Sequence, residues 1–104
     1  MNWTVEFLDA AVREELEVLP NDIKASFLRI SRLIQDHGLQ RVREPYVKHL
    51  DGRLWEMRMK GRDGIARAAY ITAKGSRVVV VHVFLKKTPR RDIEIALRRA
   101  KEVI

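Results

Sequence analysis

Hydrophobic and polar residues alternate over residues 3–7, where Trp3, Val5 and Phe7 share one face and Thr4 and Glu6 the other, as in a short strand. From Leu8 the period lengthens. Leu8, Val12, Leu16 and Leu19 recur at helical spacing, Asp9 stands where an N-cap belongs, and Pro20 ends the run. Asn21 or Asp22 then caps a second helix with the stripe Ile23, Phe27, Ile30 and Ile34, supported by Leu33 and stopped at Gly38. Two such stripes in succession predict a helical hairpin packed on a sheet.

The period returns to two beyond residue 45. Tyr46 to Leu50, Leu54 to Lys60, Ile65 to Thr72 and Arg77 to Leu85 read as four strands of an antiparallel meander. Asp51-Gly52 is a strong hairpin signal, and the Gly61–Gly64 and Ala73–Ser76 turns divide the rest. The stretch from Val78 to Leu85 is apolar on both faces, which predicts a central strand. Thr88 caps a last helix with Pro89 at its first position, turning Ile93, Ala96, Leu97, Ala100 and Ile104 inward and Arg90, Arg91, Arg98, Arg99 and Lys101 largely outward. The expected fold is α+β, in the order β-α-α-β-β-β-β-α, with a mainly antiparallel sheet. A single domain over residues 1–104 follows from the length, which suffices to bury roughly 65% of the unfolded surface without staples.

Side-chain size tests the strand registers. With Lys60 opposite Ile65, Trp55 meets Tyr70, Met57 meets Ala68 and Met59 meets Ala66, so large residues face small or aromatic ones. On the other face the same register sets Arg58 directly across from Arg67. Like charges so placed destabilise a sheet unless a neighbouring carboxylate such as Glu56, or an absent anion such as phosphate, compensates them. Setting Thr72 opposite Arg77 in the next hairpin brings His82 beside Arg67, for an expected row of Arg58, Arg67 and His82 across three strands. Lys86 and Lys87 lie just past the last strand, near the N-terminus of the final helix, where anions are favoured.

Charge sharpens this picture. The net charge of +7 is uneven: residues 1–40 carry four basic and seven acidic residues, whereas residues 41–104 carry seventeen and seven. Such a basic half favours a polyanion, with a merely soluble basic surface as the plain alternative. Lys48, Lys60, Arg62, Arg90 and Arg91 flank the expected row as candidate nucleic-acid contacts. No cysteine is present, which excludes disulfides, iron–sulfur clusters and thiol nucleophiles. The histidines His37, His49 and His82 fall on three separate elements without metal-ligand spacing, so no metal site is expected. The expected location is the cytoplasm, because no signal peptide or membrane-spanning run is apparent. Nucleotide-binding glycine loops, paired-carboxylate motifs and nucleophile elbows are absent.

Each candidate also has a structural reading. The arginines can be salt-bridged face residues, His82 a hydrogen-bonded core histidine, Trp55, Tyr70 and Phe84 core aromatics, and Lys86-Lys87 a basic strand cap. Convergence, not any single residue, points to a site.

Three stretches together resemble a known family. They are Leu54-Trp55-Glu56-Met57-Arg58, then Gly64-Ile65-Ala66-Arg67-Ala68-Ala69-Tyr70, then Val81-His82-Val83-Phe84-Leu85-Lys86-Lys87-Thr88-Pro89. In this combination the chain resembles the phage-derived, HigB-like branch of the RelE/ParE/HigB toxins, over essentially its whole length. The resemblance implies a RelE-like fold and a type II toxin whose partner is a cognate antitoxin, often a helix-turn-helix protein encoded next door. It implies a ribosome-dependent messenger-RNA endoribonuclease that needs no metal or other cofactor, in which a ribose 2′-hydroxyl attacks the adjacent phosphate. By position, Arg67 and Arg58 would hold that phosphate, with Lys86 and Lys87 further cations. The last helix lacks the tyrosine some relatives use in proton transfer. That leaves His82, Lys86 or Lys87, and more remotely His49 and Tyr70, as candidates for acid and base. The alternatives are a ParE-like toxin that acts on DNA gyrase without cleaving RNA, and a basic nucleic-acid-binding module.

Overall fold

The computed structural model describes residues 2–85 and 90–103. In chain order it contains strand β1 (Thr4–Phe7), helices α1 (Ala10–Glu17) and α2 (Asn21–His37), a 3₁₀ turn (Leu39–Arg41), strands β2 (Val47–Asp51), β3 (Leu54–Gly61), β4 (Gly64–Ala73) and β5 (Arg77–Phe84), and helix α3 (Arg90–Ala100). The α+β order is the one the periodicity predicts. Thr88 and Pro89, the expected cap and first residue of the last helix, lie outside the described residues.

The sheet order is β1-β5-β4-β3-β2. Strands β2 to β5 form the expected antiparallel meander, but β1 joins β5 in parallel, so the sheet is mixed. Arg77 on β5 donates through Nε and Nη2 to the Glu6 carboxylate on β1, at 3.0 and 3.1 Å.

Side chains alternate across the sheet into two apolar layers. Met57, Met59, Ala66, Ala68, Tyr70, Val78, Val80 and Val83 meet the hairpin residues Val12, Leu16, Ile23, Phe27, Ile30 and Ile34. Leu54, Ala69, Ile71, Val79, Val81 and Phe84 meet Ala96 and Ala100 of α3. Burial of β5 on both faces explains its continuous valine run.

Local capping departs from expectation in one place. Asp9 caps α1 by accepting from Val12 N–H at 3.0 Å. At α2, however, Pro20 occupies the cap position and no side chain caps the helix. Asp22 instead accepts from its neighbour Ile23 N–H (2.9 Å) and from Arg62 N–H in the β3–β4 turn (2.6 Å). Ser26 donates to the Lys60 carbonyl at 2.7 Å. These two side chains seat α2 on the end of β3.

The β3–β4 register is the one inferred from side-chain size, with Trp55 opposite Tyr70, Met57 opposite Ala68, Arg58 opposite Arg67 and Lys60 opposite Ile65. The β4–β5 register corrects the sequence reading. Ala73, not Thr72, faces Arg77, and a bulge at Val81 shifts the pairing by one more residue, from Tyr70 opposite Val80 to Ala69 opposite His82. Arg67 therefore faces Phe84, and His82 leaves the row in which it was expected.

Candidate functional site

The α3 face of the sheet carries the charged residues. Pairing places Lys48 beside Glu56, and Arg58 beside Arg67, on this face. Arg58 Nε and Arg67 Nε stand 3.8 and 3.5 Å from the same Glu56 Oε2. Glu56 and Arg67 are buried, whereas the Arg58 side chain keeps 30% of its surface exposed. The facing arginines thus share one carboxylate, which is the compensation their register requires.

That compensation is incomplete. Burial pushes the Glu56 carboxyl above its ordinary pKa, and the charges of Arg67, Arg58 and Lys48 offset this only in part. Among the described residues, Glu56 Oε1 and Arg58 Nε are buried without a hydrogen-bond partner. Three cations among the described residues act on this one carboxylate, a formal excess of two positive charges. An unsatisfied guanidinium donor beside that excess is chemically suited to an oxyanion.

The other sequence-predicted residues are placed as follows. Lys60 is exposed and by alternation shares the face of Arg58. Arg62 is exposed in the β3–β4 turn, with its backbone held by Asp22. Arg90 and Arg91 are exposed in the first turn of α3. Because β5 ends across from Arg67, the turn, the end of β5 and the start of α3 lie toward one end of the sheet. Lys86 and Lys87 lie outside the described residues.

His82 sits in a different constellation. Its Nε2 is 2.7 Å from Asp92 Oδ1 on α3, and its Nδ1 is 3.1 Å from Glu15 Oε1 on α1. Arg99 Nη1 from α3 donates to Glu15 Oε2 (2.9 Å) and to the Val81 carbonyl (3.0 Å), and approaches His82 Nδ1 at 3.1 Å. Burial opposes the charged ring, but hydrogen bonds and charge from Glu15 and Asp92 outweigh it, so the His82 pKa lies above its ordinary value. The charged ring donates from Nδ1 to Glu15, whereas a neutral ring protonated at Nε2 could accept from Arg99 at Nδ1. Burial likewise opposes ionisation of Glu15, and the bonds from His82, Val83 N–H and Arg99 overcome it, holding the carboxyl below its usual range.

This cluster has a structural task. Strand β1 spans only the first half of β5, and its pairing ends at Phe7 and Val80. Past that point Glu15 accepts from Val83 N–H at 2.9 Å and Arg99 donates to the Val81 carbonyl, so side chains replace the missing strand. Sequence reasoning missed Glu15, Asp92 and Arg99. Glu15 and Asp92 were hinted at only as acidic residues beside the apolar stripes of their helices, and Arg99, expected to face largely outward, turns to β5 instead.

The described residues contain no group of His, Asp and Glu suited to a metal ion, and none of their helices is long and apolar enough to cross a membrane.

No curated protein matches the chain in sequence. Among solved structures, a mutant of E. coli toxin RelE in the free state aligns with a TM-score of 0.63 at 14% identity, covering 98% of this chain and 97% of that one. A chain from the archaeal RelE–RelB complex of Pyrococcus horikoshii OT3 aligns with a TM-score of 0.60 at 22% identity, covering 86% of this chain and 100% of that one. The family model described as "Phage derived protein Gp49-like (DUF891)" matches residues 14–101. The chain therefore belongs to the phage-derived Gp49-like family and has the fold of RelE.

Proposed function

We propose that this protein is the toxin of a type II toxin–antitoxin pair and that it cleaves messenger RNA on the ribosome. One observation carries the reading: on a RelE fold, Arg58 and Arg67 face each other around a single buried carboxylate, leaving excess positive charge and an unsatisfied Arg58 Nε. A scissile phosphate beside them would supply the missing anion. In the reaction a ribose 2′-oxygen bonds to the adjacent phosphorus and the 5′-oxygen of the next nucleotide leaves. The products are a cyclic phosphate and a free 5′-hydroxyl. The phosphorane carries one more negative charge than the substrate, and cations already in place stabilise it without reorganising.

In this reading Glu56 is a positioning residue that keeps two like-charged side chains together before RNA arrives. Lys48, Lys60, Arg62, Arg90 and Arg91 contact the RNA backbone. Both ring nitrogens of His82 are engaged within the fold, so we assign it to holding α3 and assign proton transfer to Lys86 and Lys87, which come shortly after β5 in the sequence. The proposed partner is a cognate antitoxin that covers the α3 face; one of the two similar structures is a RelE–RelB complex.

The test is messenger-RNA cleavage with and without purified ribosomes. Arg67→Ala and Arg58→Ala are compared with wild type after circular dichroism confirms folding. Ribosome-dependent cleavage that falls by about 10²–10³ in either variant is expected. Folded wild-type protein that leaves the message intact but inhibits gyrase supercoiling would replace this reading with the non-nuclease one.

A further inference from the structure

The opposite face of the sheet, to the side of the helical hairpin, holds a feature the ribonuclease reading does not use. A cavity of about 820 Å³ opens beside the edge strand β2, with Leu39 and Gln40 of the 3₁₀ turn in its wall. Its volume lies within the roughly 300–1,000 Å³ of small-molecule sites. Both tryptophans of the chain, Trp3 and Trp55, line it together with Tyr70 and His49. Trp55 stands inside β3 directly across from Tyr70, yet it is 40% exposed. The His49 ring meets it edge-on, with centroids 5.1 Å apart.

Tyr70 supplies the second observation. The residue is 1% exposed, and no described residue hydrogen-bonds its hydroxyl. Burial alone raises its phenol pKa. The hydroxyl is not enclosed: it opens onto the cavity that the side chain lines, where water or a ligand can pair with it. The lining also includes Thr72, the adjacent Arg43 and Glu44, and the edge-strand residue Lys48, whose pairing with Glu56 sets its side chain toward the α3 face.

Aromatic walls, a hydroxyl with no protein partner among the described residues and the Arg43 guanidinium together select the occupant. An apolar side chain would fill the walls but leave the hydroxyl and the guanidinium unused. A planar heterocycle with hydrogen-bonding edges and an attached phosphate would use all three. We propose that this cavity binds an unpaired nucleobase of RNA, stacked on Trp55, hydrogen-bonded to Tyr70 and with its phosphate toward Arg43. The inference takes its ligand class from the proposed function and adds a second RNA contact on the face away from Arg58 and Arg67.

Because both tryptophans line the cavity, intrinsic fluorescence reports on it directly. The full-length protein is titrated with AMP and with a short 2′-O-methyl RNA, which lacks the attacking hydroxyl. Both are expected to quench the emission saturably. Trp55→Ala, read through Trp3, is expected to weaken binding by about tenfold or more. Tyr70→Phe removes only the hydroxyl and is expected to weaken it several-fold. The proposal is overturned if neither ligand alters wild-type fluorescence, or if Tyr70→Phe binds as tightly as wild type. It is also overturned if the apolar dye anilinonaphthalene sulfonate occupies the cavity and RNA does not displace it, which would assign the cavity to an apolar segment of a protein partner. The measurement involves neither ribosome nor cleavage. Quenching without cleavage overturns the ribonuclease reading alone, and cleavage without quenching overturns the cavity alone.

Discussion

Arg58 and Arg67 face one another directly across β3 and β4, and the Nε of each lies within 4.0 Å of the same Glu56 oxygen, at 3.8 and 3.5 Å. Repulsion between a buried and a part-exposed guanidinium and attraction to one buried carboxylate are therefore balanced in a single cluster. Removing the carboxylate tips that balance. Glu56→Ala is expected to destabilise the protein by about 3 kcal/mol, the low end for breaking a buried ion pair. Sulfate should restore part of the loss by taking the vacated place between the arginines. Urea unfolding of both proteins with and without sulfate checks this, because sulfate stabilises most proteins and only the excess gain of the variant counts. Equal gains would show that the arginines do not form an anion site.

The His82 network predicts a pH dependence. A folded-state pKa raised above the unfolded value of about 6.5 means that the contribution is fully present below that pH and is lost as pH rises through the folded pKa. Glu15 acts at the other limit: its lowered pKa makes its contribution present above the unfolded value and lost as pH falls through the folded one. His82→Asn should therefore lower the melting temperature most at about pH 6 and progressively less in alkaline buffer. Thermal melts of both proteins across that range give the comparison, and a pH-independent difference would assign the ring a packing role only.

Gly61 is expected to tolerate no side chain without loss. A Cβ there would lie 2.5 Å from Ile23 Cδ1 and 2.9 Å from the Asp22 Oδ2 that already accepts from Arg62 N–H. Gly61→Ala should cost about 1–2 kcal/mol, since Ile23 can yield at its tip but the Asp22 tie must lengthen. The urea midpoint measures it. An unchanged midpoint would mean that α2 shifts on the sheet at little cost.

Exposed Lys60 and Arg62 should act on RNA affinity through charge alone. If each touches one phosphate, Lys60→Ala and Arg62→Ala each lower the slope of log affinity against log salt by about one, with no change in base preference. Filter binding over a salt series reads this. An unaltered slope would remove that residue from the RNA contacts.

Much of the fold was legible because local chemistry specified it. Asp9 capped α1, two helical stripes set the hairpin, and glycine-bounded turns divided the strands. The β3–β4 register was legible because Met57, Met59 and Trp55 each needed a partner of suitable size, and a one-residue slip would have turned every one of them to the wrong face. The pairing of Arg58 with Arg67 follows from that register without further information.

The β4–β5 register had no such marker. Val79, Val80 and Val81 are equally apolar, so neither the one-residue shift at the turn nor the extra residue at Val81 leaves a trace in the pattern, although together they move His82 from Arg67 to Ala69. By itself, the sequence determined the order of elements, the two apolar layers and the facing arginines, because those depend on period, turn chemistry and side-chain size among near neighbours. Tertiary structure alone decided that β1 runs parallel to β5, that Glu15 and Arg99 seal the uncovered half of β5, and that Trp3 and Trp55 share one cavity. Those contacts join residues far apart along the chain, where no periodicity operates and only the packing of complete elements brings the groups within reach.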